Sequence, residues 1–282
     1  MRIRLLLSIA LIVGAPLGSY RQNTPIYDLF AIGFGVIPAF QVSGLVAGAD
    51  QSRRLDIPVM VWLLRGENRR VLVDSGFYRS DLVERWKVRD FRRPSDAVLA
   101  AGVRPEEVTD IIISHAHWDH AGGIELFPQA TIWIQRREYE YYTGEAWHAR
   151  NTHGGIDRDD ILALVRANTD GRVRFVEGDD QEIIPGIRCY TGGRHTQASQ
   201  YVSVRSANGT AVFTSDNVYL YENLEKRVPI AQTLDAASNL EAQDRIRGLA
   251  SRPSLIVPGH DPAVFERFAK IAEGVVRIAP HE

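Results

Sequence analysis

Three histidines and an aspartate crowd into six positions directly after a short apolar run. The run is Ile111–Ile113, and the segment that follows reads Ser114-His115-Ala116-His117-Trp118-Asp119-His120. A strand alternates its side chains, so His115 and His117 can project to the same side while Asp119 and His120 fall on the next turn. Imidazole and carboxylate are donors that Zn²⁺ prefers. The pattern predicts a metal site at a strand end, rather than a histidine-rich surface loop.

Length and composition are those of a globular, soluble chain that buries a substantial core. Of its 282 residues, 45% are hydrophobic and 24% are charged. The formal net charge of −2 points to no polyanionic partner, so nucleic acid is an unexpected substrate. The single cysteine, Cys189, excludes an internal disulfide framework and a cysteine-based zinc site. We expect Cys189 to be a small buried apolar residue.

The N-terminus has the pattern of a bacterial export signal. Arg2 and Arg4 precede the apolar run Leu5–Val13, and small residues and Pro16 follow. The run is too short to span a bilayer comfortably. We expect a signal peptide at residues 1–22, one domain at residues 23–282, and a periplasmic or secreted protein without stable membrane insertion after signal removal. The alternative is a first buried element or a wrongly assigned start codon, in which case the protein is cytoplasmic.

Apolar stretches predict strands in two batches, each followed by helices. Polar turns such as Arg65–Asn68 and Ser206–Gly209 are hairpin signals, whereas we expect Gly171–Gly186 to be connecting loop. Strands are predicted at 27–32, 36–46, 57–64, 70–74, 110–114, 130–134, 173–176, 187–191, 200–205, 210–214 and 254–257. Helices are predicted at 80–88, 94–101, 136–142, 158–168, 238–250 and 262–273. This order indicates two sheets packed face to face with helices outside.

The aromatic stretch Tyr139–Gly155 has two interpretations. It is either a helix face that packs on the sheets or a flap over the metal site. Its histidines, His148 and His153, are expected to lie on the surface.

Three further candidate ligands each stand just after an apolar strand: His195, Asp216 and His260. Alone, a histidine or aspartate at such a place is usually a cap or turn residue. Together with the first cluster they repeat one arrangement of strand, small-residue turn and ligand. Several strand ends can therefore converge on one point.

These segments resemble the motifs of the metallo-β-lactamase superfamily. The resemblance runs from about residue 57 to residue 262 and rests on the segments 71–76, 114–120, 191–196, 215–217 and 258–260. It implies an αββα sandwich of two mixed β-sheets with flanking helices, and a dinuclear metal centre at the sheet edge. It also implies a hydrolase domain over residues 23–282.

Carried over position by position, the resemblance implies seven ligands for two Zn²⁺ ions, with Fe, Co or Mn as other candidate metals. One metal would be held by His115, His117 and His195, and the other by Asp119, His120 and His260, with Asp216 bridging. A hydroxide that bridges the metals would be the nucleophile, since coordination lowers the pKa of water to about 7. Asp119 would move a proton, and Asp74 would orient a ligand without binding metal.

The residues around these ligands narrow the class of enzyme. His117, where oxygen-reducing flavodiiron proteins have glutamate, argues against that branch, and Asp216 replaces the cysteine of the commonest zinc β-lactamases. Few residues follow His260, which leaves no room for the glutathione-holding domain of glyoxalase II. The arm and basic surface expected of a tRNA-processing nuclease of this fold are not visible.

The spacing from Asp216 to Tyr219 is similar to that in N-acyl-homoserine lactonases, where a tyrosine at this offset donates a hydrogen bond to the lactone carbonyl. Packing alone is the other role open to Tyr219. Arg194 and the segment Gln197–Ser199 depart from the glycines usual there. The expected activity is a dinuclear zinc hydrolase that opens acyl-homoserine lactones or similar small lactones. Another ester, thioester or β-lactam hydrolase, an iron-dependent redox enzyme and a metal-binding protein without turnover remain alternatives, and the oligomeric state stays open.

Overall fold

The structure is a computed structural model that describes residues 24–148, 150 and 153–279, so the predicted signal peptide lies outside the described residues. The strands are β1 (Asp28–Gln41), β2 (Arg54–Arg65), β3 (Arg70–Val73), β4 (Asp110–Ile112), β5 (Thr131–Gln135), β6 (Val173–Val176), β7 (Gln181–Ile184), β8 (Ile187–Thr191), β9 (Gln200–Ser206), β10 (Gly209–Ser215), β11 (Ile256–Pro258), β12 (Ala269–Ala272) and β13 (Val275–Arg277). The α-helices are α1 (Ser80–Arg85), α2 (Pro94–Ala100), α3 (Trp118–Ala121), α4 (Arg136–Thr143), α5 (Arg158–Thr169), α6 (Tyr221–Lys226), α7 (Ala236–Leu249) and α8 (Ala263–Arg267). None of the described helices has the length and apolar character needed to cross a membrane.

The strands form two mixed sheets. The eight-stranded sheet has the order β12-β13-β1-β2-β3-β4-β5-β6, and the five-stranded sheet has the order β11-β10-β9-β8-β7. Strands β3 to β6 run parallel to one another, as do β10 and β11, and the remaining neighbours are antiparallel. Two mixed sheets with helices on their outer faces confirm the predicted αββα sandwich.

Strand β2 shows why the sheets stack as they do, because both of its faces are buried. Val61 and Leu63 belong to the core between the eight-stranded sheet and its helices, whereas Trp62 and Leu64 belong to the core between the two sheets. The Trp62 ring lies 6.0 Å from the Phe213 ring of the five-stranded sheet. A strand in such a place reads as a continuous apolar run rather than as an alternation. Cys189 is fully buried in the same core, as expected.

The short elements α3, α6 and β13 were not predicted, and three longer segments also differ from the sequence prediction. β1 is one long strand where two were expected, because irregularities between Gly33 and Gly35 and between Ile37 and Phe40 interrupt its alternation. β6 confirms the strand predicted at 173–176, but the rest of the segment 171–186 is not only connecting loop, since it also contains β7. The segment 262–273 is not a single helix, since α8 ends at Arg267 and the exposed edge strand β12 follows. β7 begins with the polar residues Gln181 and Glu182 and so gives a weak apolar signal, whereas β12 has the sequence Ala-Lys-Ile-Ala and shows no alternation of apolar and polar residues.

The topology brings four strand ends to one edge of the sandwich. β10 and β11 are parallel, and β8 points the same way because it is separated from β10 by the antiparallel strand β9. The chain leaves β4 of the other sheet at this same edge, where Gln200 N–H donates to the Ser114 carbonyl. The residues that follow these four strands therefore meet.

Candidate metal centre

Seven side chains from both sheets converge in two groups at this edge. The groups are His115, His117, His195 and Asp216, and Asp119, His120 and His260. Within each group the candidate ligand atoms lie within 4.8 Å of one another. All seven residues predicted as ligands thus lie together. Six of them divide into the two sets that the resemblance implied, and Asp216 falls within reach of the first.

Asp216 lies between the two groups. Its Oδ2 is 3.3 Å from His195 Nε2 and 3.6 Å from His115 Nε2. Its Oδ1 is 3.3 Å from His120 Nε2 and 3.1 Å from His260 Nε2. One carboxylate therefore presents one oxygen to each group, which is the geometry of a ligand shared by two cations.

Two buried atoms of this site, His120 Nε2 and Asp216 Oδ1, lie 3.3 Å apart but make no hydrogen bond of suitable geometry within the described part of the chain. A buried polar atom without a partner is costly and calls for an explanation. Imidazole nitrogens and carboxylate oxygens at this spacing suit divalent cations. The residues present therefore fit a bound metal.

Asp74 orients two of the histidines from outside the ligand groups. Its Oδ2 accepts hydrogen bonds from His120 Nδ1 at 2.8 Å and from Ser114 Oγ at 2.8 Å, and its Oδ1 accepts one from Ser114 N–H at 2.7 Å. Ser114 Oγ in turn lies 2.9 Å from His115 Nδ1. With Nδ1 engaged, His120 and His115 turn Nε2 toward the site, as the resemblance implied for an acid at this position.

Backbone carbonyls orient two more histidines. His195 Nδ1 donates to the Gln232 carbonyl at 2.6 Å, and His260 Nδ1 donates to the Pro58 carbonyl at 3.0 Å. Sequence reasoning missed both partners, because any residue can supply a backbone acceptor. The two contacts fix Nε2 as the free nitrogen of each ring.

His117 is held by packing against a neighbouring loop. Trp118 N–H donates to the Gly155 carbonyl at 3.0 Å, which places Gly155 against the His117 ring. Gly155 has a φ of +77°, and a Cβ there would lie 2.8 Å from His117 Cδ2. Only glycine satisfies both the conformation and the space.

Burial and repulsion between neighbouring rings keep His115 and His117 neutral. Burial, followed by the nearby His120 and His117 rings, holds the pKa of His115 well below its usual value. Burial and His195 lower the pKa of His117 to about 3. Neutral imidazoles have the lone pair that a cation requires.

The acidic side of the site has the opposite balance. Burial would lower the pKa of His120, but the charges of Asp216, Asp119 and Asp74 outweigh it and hold that pKa well above its usual value. Burial would raise the pKa of Asp216, but His120 and His260 hold it well below its usual value. The Asp216 carboxylate therefore stays ionised, and the site favours positive charge.

A cavity of about 230 Å³ opens above the ligands. Tyr219 lines it and is buried, with its hydroxyl 3.5 Å from His195 Nδ1. Burial, then the negative charges of Asp216 and Asp119, raise the pKa of Tyr219 well above its usual value, so that its hydroxyl stays protonated. Tyr219 packs in the core and also reaches the site, whereas the neighbouring Tyr221 packs between the sheets.

One wall of the cavity is apolar. The Trp86 ring stacks on Trp118 at 5.5 Å between ring centroids and on Phe40 at 6.2 Å. Ile37 and Ile57 extend the same surface. The cavity thus combines a polar floor with a wall suited to an aliphatic group.

The stretch Tyr139–Gly155 contributes to both the core and the site. Tyr142 is buried in the core, and Gly154 and Gly155 line the cavity. Residues 149, 151 and 152 lie outside the described residues. His148 is exposed, whereas His153 is half-buried 4.3 Å from the Trp147 ring, and neither belongs to a ligand group.

Known proteins share this sequence pattern and fold. A profile of the metallo-beta-lactamase superfamily matches residues 55–260. The N-acyl homoserine lactonase AttM of Rhizobium johnstonii is 33% identical over 249 residues, which cover 80% of this chain and 89% of that protein. The N-acyl homoserine lactonase AiiA of Bacillus thuringiensis subsp. kurstaki is 28% identical over 238 residues, covering 78% and 87%.

A solved structure agrees with these relatives. A crystal structure of a B. thuringiensis AiiA mutant with N-decanoyl-L-homoserine bound at its active site matches with a TM-score of 0.72 and 25% identity, covering 87% of this chain and 98% of that one. The chain therefore belongs to the metallo-beta-lactamase superfamily, within the branch that includes the N-acyl homoserine lactonases, and is a metal-dependent hydrolase.

Proposed function

We propose that this protein opens the lactone ring of N-acyl-homoserine lactones or similar small lactones, using two zinc ions held by the seven ligands. The observation that carries the proposal is Asp216, which faces both ligand groups at the floor of a cavity with an apolar wall. A polar head with an aliphatic tail suits such a cavity. The relatives named as N-acyl homoserine lactonases support this substrate class.

The proposed metal is zinc because five imidazoles and two carboxylates converge without a thiolate. Divalent ions bound there would supply Lewis acidity and acidify a water molecule. Iron, cobalt and manganese accept the same donors, so elemental analysis of the purified protein decides the metal.

Tyr219 and Asp119 act on the substrate's oxygens. As water adds to the lactone carbonyl, negative charge develops on the carbonyl oxygen, and the Tyr219 hydroxyl donates a hydrogen bond to it. Burial would raise the pKa of Asp119, but His120 and His260 lower it below its usual value, so the carboxylate is ionised and has a vacant oxygen for a proton. It takes the proton from the attacking water and passes it to the ring oxygen as the carbon–oxygen bond breaks. The product is one hydroxy acid.

The apolar wall holds the acyl chain. Phe40, Trp86 and Trp118 offer stacked rings beside the ligand groups, and burial of an acyl chain there contributes about 0.8 kcal/mol per methylene. A longer chain therefore binds more tightly until the wall ends.

A substrate panel on purified, metal-analysed protein tests this proposal. Each ring opening releases one acid, which a pH indicator detects. Acyl-homoserine lactones are expected to react faster than a glutathione thioester and a β-lactam, with Asp216→Ala as the inactive control. Faster turnover of either competitor than of every lactone tested overturns the lactonase assignment and leaves the metal site standing.

We further propose that the protein is exported, supported by the basic and apolar residues Arg2 to Val13. N-terminal sequencing of the protein from its native host is expected to find a mature end between about residue 15 and residue 25. An intact N-terminus in the cytoplasmic fraction contradicts export.

A further inference from the structure

Glu138 is a fully buried carboxylate in helix α4 that belongs to neither ligand group. Its Oε1 accepts hydrogen bonds from Ala116 N–H at 3.0 Å and from Thr196 Oγ at 2.7 Å. Its Oε2 accepts one from Ala198 N–H at 2.6 Å. All three donors belong to loops that carry metal ligands.

The two loops come from different sheets. Ala116 stands between His115 and His117, after β4 of the eight-stranded sheet. Thr196 directly follows His195, after β8 of the five-stranded sheet. Glu138 therefore joins the backbones that carry all three histidines of the first ligand group.

A carboxylate is required here by the hydrogen-bond pattern. Ala116 and Ala198 offer only backbone N–H groups to Glu138, and the Thr196 hydroxyl also donates. An ionised carboxylate accepts on both oxygens, whereas a glutamine would turn an NH₂ group toward at least one donor. A buried donor left without an acceptor costs about 1–3 kcal/mol.

We propose that Glu138 is a positioning residue, which sets the distance between the His115–His117 loop and the His195 loop and thereby the affinity of the first metal. Groups that orient ligands from outside a metal site typically change metal affinity by about 10- to 100-fold when they are replaced. Glu138 acts one step further out, through the backbone beside the ligands.

Asp110 offers a matched control. It is also a buried carboxylate with three donors, namely Arg69 Nη1 at 2.8 Å, Thr109 Oγ1 at 2.7 Å and Trp133 Nε1 at 3.0 Å. It begins β4, at the opposite end of that strand from the metal ligands. Glu138→Gln and Asp110→Asn therefore disturb similar hydrogen-bond networks, but only the first network touches the ligand loops.

The test is a competition titration of Zn²⁺ against a chromogenic chelator, with the full-length wild type and both variants. Glu138→Gln is expected to weaken one of the two bound equivalents by about 10-fold or more and to lower kcat. Asp110→Asn is expected to lower Tm and leave both zinc affinities at the wild-type value. Wild-type zinc affinities in Glu138→Gln, or equal weakening in both variants, overturn the inference.

Thr196→Val covers the case in which Glu138→Gln fails to fold. It deletes one of the three donors with little change in volume, so a smaller weakening of the same zinc equivalent is expected, and unchanged affinity overturns the inference. The inference rests on the proposed metal site. Failure of the wild type to bind zinc contradicts that site itself, whereas a zinc-binding wild type with unaffected variants contradicts only the role of Glu138.

Discussion

The two sheets supply the metal centre in different ways. The eight-stranded sheet contributes four of the proposed ligands from a single segment after β4, at positions 115, 117, 119 and 120. The five-stranded sheet contributes one proposed ligand from each of three strand ends, at positions 195, 216 and 260. The first set is local in sequence, whereas the second exists only after β8, β10 and β11 have assembled. The complete site therefore depends on the docking of one sheet against the other.

The largest effect is expected from Asp216, the ligand of the five-stranded sheet that faces both groups. Asp216→Ala removes an oxygen from each group, so we expect loss of at least one metal. We also expect activity to fall by more than about 100-fold, the upper range for replacing a residue that only hydrogen-bonds a metal ligand. Elemental analysis and lactone hydrolysis measure the two losses. Retention of both metals by an active Asp216→Ala enzyme would show that Asp216 is not shared.

The second-largest effect is expected from Tyr219, which also follows β10 but is not a proposed ligand. Tyr219→Phe keeps the ring and its packing while deleting the donor, so kcat is expected to fall by about 10- to 1,000-fold with metal content unchanged. Steady-state kinetics with an acyl-homoserine lactone measure the change. A wild-type kcat in the variant means that Tyr219 only packs.

Gly155 tests the local set of ligands. A methyl group there meets the His117 ring, so Gly155→Ala is expected to weaken zinc binding by roughly 10-fold. The neighbouring Gly154→Ala is the control, since a Cβ at Gly154 has nothing within 4 Å. Zinc titration compares the two variants. Equal zinc affinities would mean that Gly155 does not hold the His117 ring in place.

The smallest effect lies outside the site, on α5. Burial raises the pKa of Asp160 to about 7, against a value of about 3.9 in an unfolded chain. Between about pH 4 and pH 7 the folded protein holds a proton that the unfolded chain has released, so the free energy of unfolding falls as pH rises. Asp160→Asn is expected to flatten the dependence of Tm on pH in this window. Each kcal/mol of change in the free energy of unfolding corresponds to a shift in Tm of about 2–4 °C.

Asp157 offers a control of opposite sign. The hydrogen bond from Arg79 lowers the pKa of Asp157, so its contribution to stability is present at neutral pH and is lost as pH falls through that lowered pKa. Asp157→Asn is therefore expected to lower Tm at pH 7. An unchanged pH slope in Asp160→Asn argues against a buried proton at Asp160.

The local set of ligands could be read from the sequence because a histidine cluster after an apolar run leaves few alternatives. The dispersed set could be proposed only from its repeated position after apolar strands, because a single histidine such as His195 gives a weak signal. Its assignment to two metals needed the family resemblance. The sandwich followed from apolar strands such as β2, whereas β7 was missed because Gln181 and Glu182 weaken its apolar signal. The short edge strand β12 was included in the helix predicted over residues 262–273. Glu138 gave no signal at all, because its partners near residues 116 and 196 become neighbours only in the folded chain.

A stepwise zinc titration of chelator-stripped protein, with acyl-homoserine lactone hydrolysis recorded at each step, tests the shared site most directly. Because Asp216 faces both ligand groups, activity is expected to reach its maximum when two ions per chain are bound. Full activity at one ion per chain, with no further increase at the second, would contradict the account.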